Sequence, residues 1–76
     1  MPGLPVVGWD EVVRVLGLVG YIARRQKGSH IILVRLTPTV SSITVPRHKE
    51  ITPGTLRSII RQSGLSVEEF NRMLKA

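Results

Sequence analysis

The side chains of this 76-residue chain best suited to proton transfer near neutral pH are two histidines, His30 and His48. Neither belongs to a convincing metal-binding set, because the chain has no cysteine and offers no carboxylate partners at ligand spacing. The acid pairs at residues 10–11 and 68–69 are better explained as helix starts, where carboxylates complement the helix dipole. Glycine-rich motifs that cradle phosphates are absent. The sequence therefore predicts a site without a metal or other cofactor.

Histidine and cations without a metal are sufficient to cleave RNA, because RNA supplies its own nucleophile, the 2′-hydroxyl. Such a reaction needs a proton acceptor, a proton donor and positive charge that stabilises the oxygens on phosphorus. His30 directly follows Gly28 and Ser29, residues typical of a tight turn, and Lys27 precedes that turn. The alternative for each histidine is a surface or packed ring without a catalytic role. The residues alone do not decide between the two interpretations.

The whole chain has 11 lysines and arginines against 5 acids, which gives a formal net charge of +6, and the positive charge is concentrated in the middle of the chain. Between residues 12 and 49 no acid occurs, and this acid-free segment holds seven cations: Arg14, Arg24, Arg25, Lys27, Arg35, Arg47 and Lys49. Such a segment favours a polyanionic partner such as RNA. The cations expected to position RNA through its phosphates, without reading base sequence, are Arg24, Arg25, Arg47 and Lys49. A solvated basic surface, or an adaptor that recognises an acidic protein, is the alternative.

The spacing of apolar residues predicts one helix followed by three strands. Apolar side chains recur at helical spacing from Trp9 to Leu16, which predicts a helix over residues 9–18. Strands are predicted over residues 21–27, 30–36 and 43–45, with a loop at 37–42 and with Pro46 ending the third strand. The first two strands form a hairpin around Gly28 and Ser29.

Two helices are predicted after the strands. Thr52 is placed to cap the first of them, with Pro53 at its first helical position and Gly64 at its end. Ser66 and Glu69 form a capping box that begins the second. The order α-β-β-β-α-α predicts an α+β fold, in which a three-stranded antiparallel sheet has the helices packed on one face.

Alternation along the second strand divides its side chains between the two faces of the sheet. One face would hold His30, Ile32, Val34 and Leu36, and the other Ile31, Leu33 and Arg35. If His30 faces solvent, the second set must pack against the helices. Ile32 and Val34 are then left on the uncovered face, and we expect them to lie under a protein partner or at a contact between two copies of the chain.

The composition, with 42% hydrophobic residues, is that of one small globular domain over residues 1–76. No apolar run approaches the roughly 20 residues that a membrane span needs, which predicts no membrane contact. The N-terminal residues lack the charged and apolar regions of a signal peptide. We therefore expect a cytoplasmic protein.

Ordered motifs across the chain resemble those of the HicA toxins of bacterial and archaeal toxin–antitoxin systems. They are Gly-Ser-His at residues 28–30, Thr-Val-Pro-x-His at 44–48, Thr-Pro-Gly-Thr-Leu-x-x-Ile at 52–59, and Gly-Leu-Ser at 64–66. The likeness extends from about Leu4 to Phe70 and so covers nearly the whole chain. Their order and spacing in so short a chain make the resemblance specific.

The resemblance implies a fold like that of double-stranded-RNA-binding domains and the activity of an mRNA interferase, an endoribonuclease that arrests translation by cutting mRNA. It implies that His30 is the essential catalytic residue and that a HicB-like antitoxin binds and blocks this surface. Two features depart from the family. Gly8 and Gly17 indicate a loosely held N-terminus, and Ile32 and Val34 are apolar where relatives are often polar.

The residues around His30 have candidate roles in this reaction. Lys27 is the candidate for phosphate stabilisation, while Gly28 and Ser29 form the turn, with a hydrogen bond from Ser29 to substrate. His48 is either a second acid, base or phosphate contact, or a surface histidine that shapes the turn after the third strand. A non-catalytic RNA-binding module would have the same fold and charge, and it is the rival function.

Overall fold

The computed structural model of the chain describes residues 3–76 and shows three helices and one three-stranded sheet. The elements, in chain order, are α1 (Trp9–Leu18), β1 (Ile22–Lys27), β2 (His30–Arg35), β3 (Ser41–Pro46), α2 (Pro53–Ser63) and α3 (Val67–Leu74). The strand order is β1-β2-β3 and both pairings are antiparallel, so β2 is central. The predicted α+β fold is confirmed. No helix within residues 3–76 is long and apolar enough to cross a membrane.

The core lies between the helices and one face of the sheet. The strand residues buried on this face are Ile31, Leu33, Ile43 and Val45. They pack with buried side chains from all three helices, among them Leu16, Leu56, Ile59 and Phe70. The opposite side, the open face, carries His30, Ile32 and Val34 from β2. His30 is exposed and the other two are half-buried, so the predicted division of β2 between two faces is confirmed.

The strand boundaries differ from the prediction, most of all in β3, which runs from Ser41 to Pro46. The Ser41 hydroxyl lies 2.7 Å from the hydroxyl of Tyr21, a buried residue that precedes β1 rather than belonging to it. Pro46 lies opposite His30 as the last residue of an edge strand, where its missing N–H breaks no ladder. β2 ends at Arg35, one residue earlier than predicted.

The chain at Val7 and Gly8 packs closely against the loop after β3, so the expectation of a loosely held N-terminus is wrong for this part of the chain; residues 1 and 2 lie outside the described residues. Val7 is buried, and its carbonyl oxygen accepts a 2.8 Å hydrogen bond from the Ile51 N–H. A Cβ on Gly8 would come within 2.7 Å of the Lys49 carbonyl oxygen. Glycine therefore stands at this N-cap because the start of α1 and the loop after β3 approach too closely for a side chain.

The starts of the last two helices differ in how far they follow the prediction. The capping box of α3 is confirmed, with Glu69 N–H donating to Ser66 Oγ at 3.0 Å and Ser66 N–H donating to Glu69 Oε1 at 2.8 Å. These bonds with Ser66, aided by Arg72, hold the pKa of Glu69 below its ordinary value. Thr52 is the N-cap residue of α2, but its hydroxyl donates to Thr55 Oγ1 instead of accepting a helix N–H.

Neighbouring residues of β2 should differ sharply in their effect on stability. Leu33→Ala removes a side chain that is 1% exposed, and we expect it to lower the free energy of unfolding by about 2–5 kcal/mol. Ile32→Ala, on the half-buried open face, should cost about 1 kcal/mol. Urea unfolding of both variants measures this difference. Equal losses, or a larger loss for Ile32→Ala, would contradict the assignment of the two faces.

Candidate active site

A two-residue turn presents His30 at the end of the sheet. Gly28 has a φ of +60° and Ser29 a negative φ, which is the pattern of a type II′ hairpin turn with glycine first. His30 begins β2, is exposed, and lies directly opposite Lys27. Opposite residues of antiparallel strands have Cβ atoms about 4.5–5.5 Å apart. The Lys27 ammonium can therefore reach an anion bound beside the imidazole.

The loop after β3 is tied to this turn by a short backbone hydrogen bond. Arg47 N–H donates to the Ser29 carbonyl oxygen at 2.6 Å. His48 N–H donates to the Pro46 carbonyl oxygen at 2.8 Å, which bends the chain immediately after the strand. Because Pro46 lies opposite His30, both histidines lie at one end of the sheet. This turn end, formed by the hairpin turn and the loop, also carries the side chains of Lys27 and Arg47.

A bulge in β1 changes which face its arginines occupy. Ala23 pairs with Leu33 and Arg25 pairs with Ile32, so Arg24 is an extra residue between them. Pairing with Ile32 places Arg25 on the open face, beside the Lys27–His30 pair on that face. Unbroken alternation from Ala23 would instead have placed Arg25 on the core face. The bulge therefore brings positive charge to the face that carries the histidine.

Two cations of the acid-free segment support the fold rather than the site. Arg14 donates to the Leu74 carbonyl oxygen at 2.7 Å and so closes the C-terminal end of α3. The Arg35 guanidinium stacks on the buried Tyr21 ring, 4.6 Å from its centroid, and donates to the Val19 carbonyl oxygen at 3.1 Å. Neither belongs to the turn end.

The other five cations of this segment are exposed: Arg24, Arg25, Lys27, Arg47 and Lys49. Within residues 3–76 none of them forms an ion pair, and the salt bridge in this part of the chain joins Arg72 to Glu68 on α3. Their charges repel one another, so a bound polyanion would relieve the repulsion as well as supply direct attraction. The structure brings four of them to the open face or the turn end, and Lys49 follows in the same loop.

Apolar side chains occupy the middle and the far end of the open face. Beyond the half-buried Ile32 and Val34, the side chains of Ile22 and Leu36 are 62% and 64% exposed. Ile22, Val34 and Leu36 line a shallow depression of about 400 Å³ together with Arg24. Nothing in the sequence predicts Ile22 at this surface, because its face depends on the bulge. The open face is thus basic at the turn end and, apart from Arg24, mainly apolar at the other.

Metal-ligating side chains do not converge in the described part of the chain. Within residues 3–76 no three histidine, aspartate or glutamate side chains are placed together as ligands. His30 and His48 share the turn end with lysine and arginine, and these cations suit an anionic group of a substrate rather than a bound cation. The site can accept an anion and exchange protons with it.

Together these features define a class: a small α+β protein with a basic open sheet face and a histidine presented by a hairpin turn. A family model described as the HicA toxin of bacterial toxin–antitoxin systems matches residues 9–65, from the start of α1 to just past α2. The chain belongs to the HicA toxin family, which gives it a toxin role and implies a cognate antitoxin. No curated protein matches the chain as a relative.

Charge reversal on the open face should weaken RNA binding more than the same change elsewhere. Arg25→Glu should lower the affinity by about the same factor for all RNA sequences. It should also reduce the slope of log affinity against log salt concentration by about 1. Arg57→Glu, on an exposed position of α2, makes the same change in net charge and is the control. Fluorescence anisotropy at several salt concentrations measures both. If the two variants lose equal affinity, net charge rather than the open face governs binding.

Proposed function

We propose that this chain is a metal-independent endoribonuclease, an mRNA interferase that cuts mRNA, single-stranded or structured, and thereby arrests translation. The observation that carries the proposal is the turn end. There an exposed His30 lies opposite Lys27, and a 2.6 Å backbone hydrogen bond holds the loop with Arg47 and His48 beside it. Membership of a toxin family supports an activity that is harmful to the cell.

The reaction suited to this arrangement is transfer of the phosphodiester to the 2′-hydroxyl of the RNA itself. A general base removes the 2′-hydroxyl proton, the 2′-oxygen attacks phosphorus, and a general acid protonates the departing 5′-oxygen. The products are a 2′,3′-cyclic phosphate and a 5′-hydroxyl. His30 takes one of the two proton-transfer roles, and His48 is the candidate for the other. Neither role needs a metal ion.

Charge stabilisation comes from the cations around His30. As the 2′-oxygen attacks, negative charge grows on the non-bridging oxygens, and ammonium or guanidinium groups stabilise it. Lys27, opposite His30, and Arg47, beside the turn, are the groups placed for this role. The Ser29 carbonyl oxygen accepts the hydrogen bond from the Arg47 N–H. The Ser29 hydroxyl is the candidate for a hydrogen bond to substrate. Arg24, Arg25 and Lys49 hold the rest of the strand through its phosphates.

The antitoxin, expected to be HicB-like, is proposed to cover the open face. Val34 lies opposite the exposed Ile22, and Ile32 lies between Val34 and His30 on the same face, so a protein that buries Ile32 and Val34 also approaches His30. Burial of a complete aliphatic side chain contributes roughly 1.5–3 kcal/mol. A contact between two toxin molecules would use the same surface. The oligomeric state of the toxin, measured without antitoxin, distinguishes this contact from an antitoxin interface.

His30→Ala should abolish RNA cleavage and growth arrest without unfolding the protein, because His30 is exposed at a strand end. Wild-type protein should cleave equally well in excess EDTA. Gel analysis of RNA with purified proteins measures both, and circular dichroism checks the fold. A folded His30→Ala variant that stays as toxic as the wild type would indicate the rival non-catalytic RNA-binding function. Loss of wild-type cleavage in EDTA, restored by Mg²⁺ or Mn²⁺, would contradict the metal-independent mechanism.

The double variant Ile32→Ser/Val34→Ser should bind the cognate antitoxin at least about tenfold more weakly, since part of the apolar burial is lost. Val6→Ser removes an aliphatic side chain that is 78% exposed and lies outside the sheet, so it is the matched control. Isothermal titration calorimetry measures the affinities. Unchanged affinity in the double variant would show that the antitoxin leaves this patch uncovered. A change in self-association alone would assign the patch to a toxin–toxin contact.

A further inference from the structure

Trp9, the single tryptophan of the chain, contacts two residues of the turn end from the start of α1. Its backbone N–H donates to the His48 carbonyl oxygen at 3.1 Å. The Arg47 guanidinium lies over the Trp9 ring in a cation–π contact, with the central carbon 4.8 Å from the ring centroid. The first residue of α1 is therefore bound both to the backbone and to a side chain of the loop that adjoins His30.

The stack on Trp9 restrains Arg47 without occupying its hydrogen-bond donors. A guanidinium that lies flat over an aromatic ring uses its planar face, and its five N–H groups then point outward in its plane. A free arginine side chain loses much rotamer freedom when it binds a phosphate, and a side chain already held against a ring loses less. The side chain of Arg47 is thus restrained, while its N–H donors remain available to phosphate oxygens.

We infer that Trp9 is a positioning residue, which acts through Arg47 to hold this cation toward an RNA phosphate at the turn end. The inference rests on the proposed function, since it assigns Trp9 a part in binding the same substrate. Trp9 also packs its half-buried ring against the core, as does its neighbour Val13 on the same helix. A purely structural role predicts that truncation of either residue acts through stability, whereas the positioning role predicts an effect on KM at Trp9 alone.

Cleavage kinetics distinguish positioning from packing. Trp9→Leu should raise KM about two- to fivefold, the effect of a single exposed cation–π contact, and should change kcat less than twofold. Trp9→Phe keeps an aromatic face and should restore most of the loss. Val13→Ala truncates a core-packed aliphatic side chain that offers no aromatic face to Arg47, and it should leave KM unchanged. In an Arg47→Ala background, Trp9→Leu should have no further effect.

The emission of Trp9 gives a second reading, which leaves Trp9 itself unchanged and begins with the wild-type protein. An oligonucleotide of 2′-O-methyl RNA lacks the nucleophilic hydroxyl, so it binds without being cut. Saturating binding of this oligonucleotide, measured separately by anisotropy of a label on it, should shift or quench the emission of Trp9. The change should be much smaller in the Arg47→Ala variant, because the bound phosphate acts on Trp9 through Arg47.

The outcomes separate this inference from the proposed function. Two results would overturn the positioning role and leave the proposed function intact, provided that wild-type protein binds and cleaves RNA. One is an additive loss in the Trp9→Leu/Arg47→Ala double variant, and the other is Trp9 emission that does not change at saturating oligonucleotide. If wild-type protein neither binds nor cleaves RNA, the proposed function fails and the positioning role fails with it. A loss in Trp9→Leu that Trp9→Phe does not restore and that Val13→Ala reproduces would indicate packing only.

Discussion

Burial of one face of the sheet against the helices is the constraint on which the site depends. Ile31 and Leu33 of β2 can reach the core only if the strand turns His30 and Ile32 to the opposite side. A slip of one residue would bury the histidine and expose Leu33, at a cost of several kcal/mol. The hydrophobic core thus fixes the direction of a polar side chain that is itself exposed.

The turn end is assembled by backbone hydrogen bonds and aromatic stacking rather than by ion pairs. The Arg47 N–H binds the hairpin turn, and Trp9 binds the other side of the same loop. Such contacts gather several cations that form no ion pair within residues 3–76. The counter-charge is left for a partner to supply, which suits RNA and suits an acidic surface of an antitoxin equally well. Competition between the two for one surface would explain how an antitoxin inhibits a toxin of this shape.

Features governed by local pattern could be predicted from the sequence, while those governed by distant contacts could not. Alternation in β2 and the capping box at Ser66 depend on neighbouring residues, and both are present in the structure. The bulge at Arg24 is set by pairing with β2, and a local pattern of alternation does not locate it. Gly8 indicates a weak helix start by propensity, yet the close carbonyl of Lys49, distant in sequence, is what requires it. The roles of the site residues remain predictions.

The chemical ends of the RNA fragments test the proposed mechanism most directly. Transfer to the 2′-oxygen predicts a 2′,3′-cyclic phosphate on one fragment and a 5′-hydroxyl on the other, in buffer that contains EDTA. A single 2′-deoxy substitution at the cleaved nucleotide should then block cleavage at that bond. Mass spectrometry of the fragments identifies the ends. Fragments with a 3′-hydroxyl and a 5′-phosphate, or cleavage that persists beside a 2′-deoxyribose, would contradict the mechanism, because water or another nucleophile would have attacked the phosphorus.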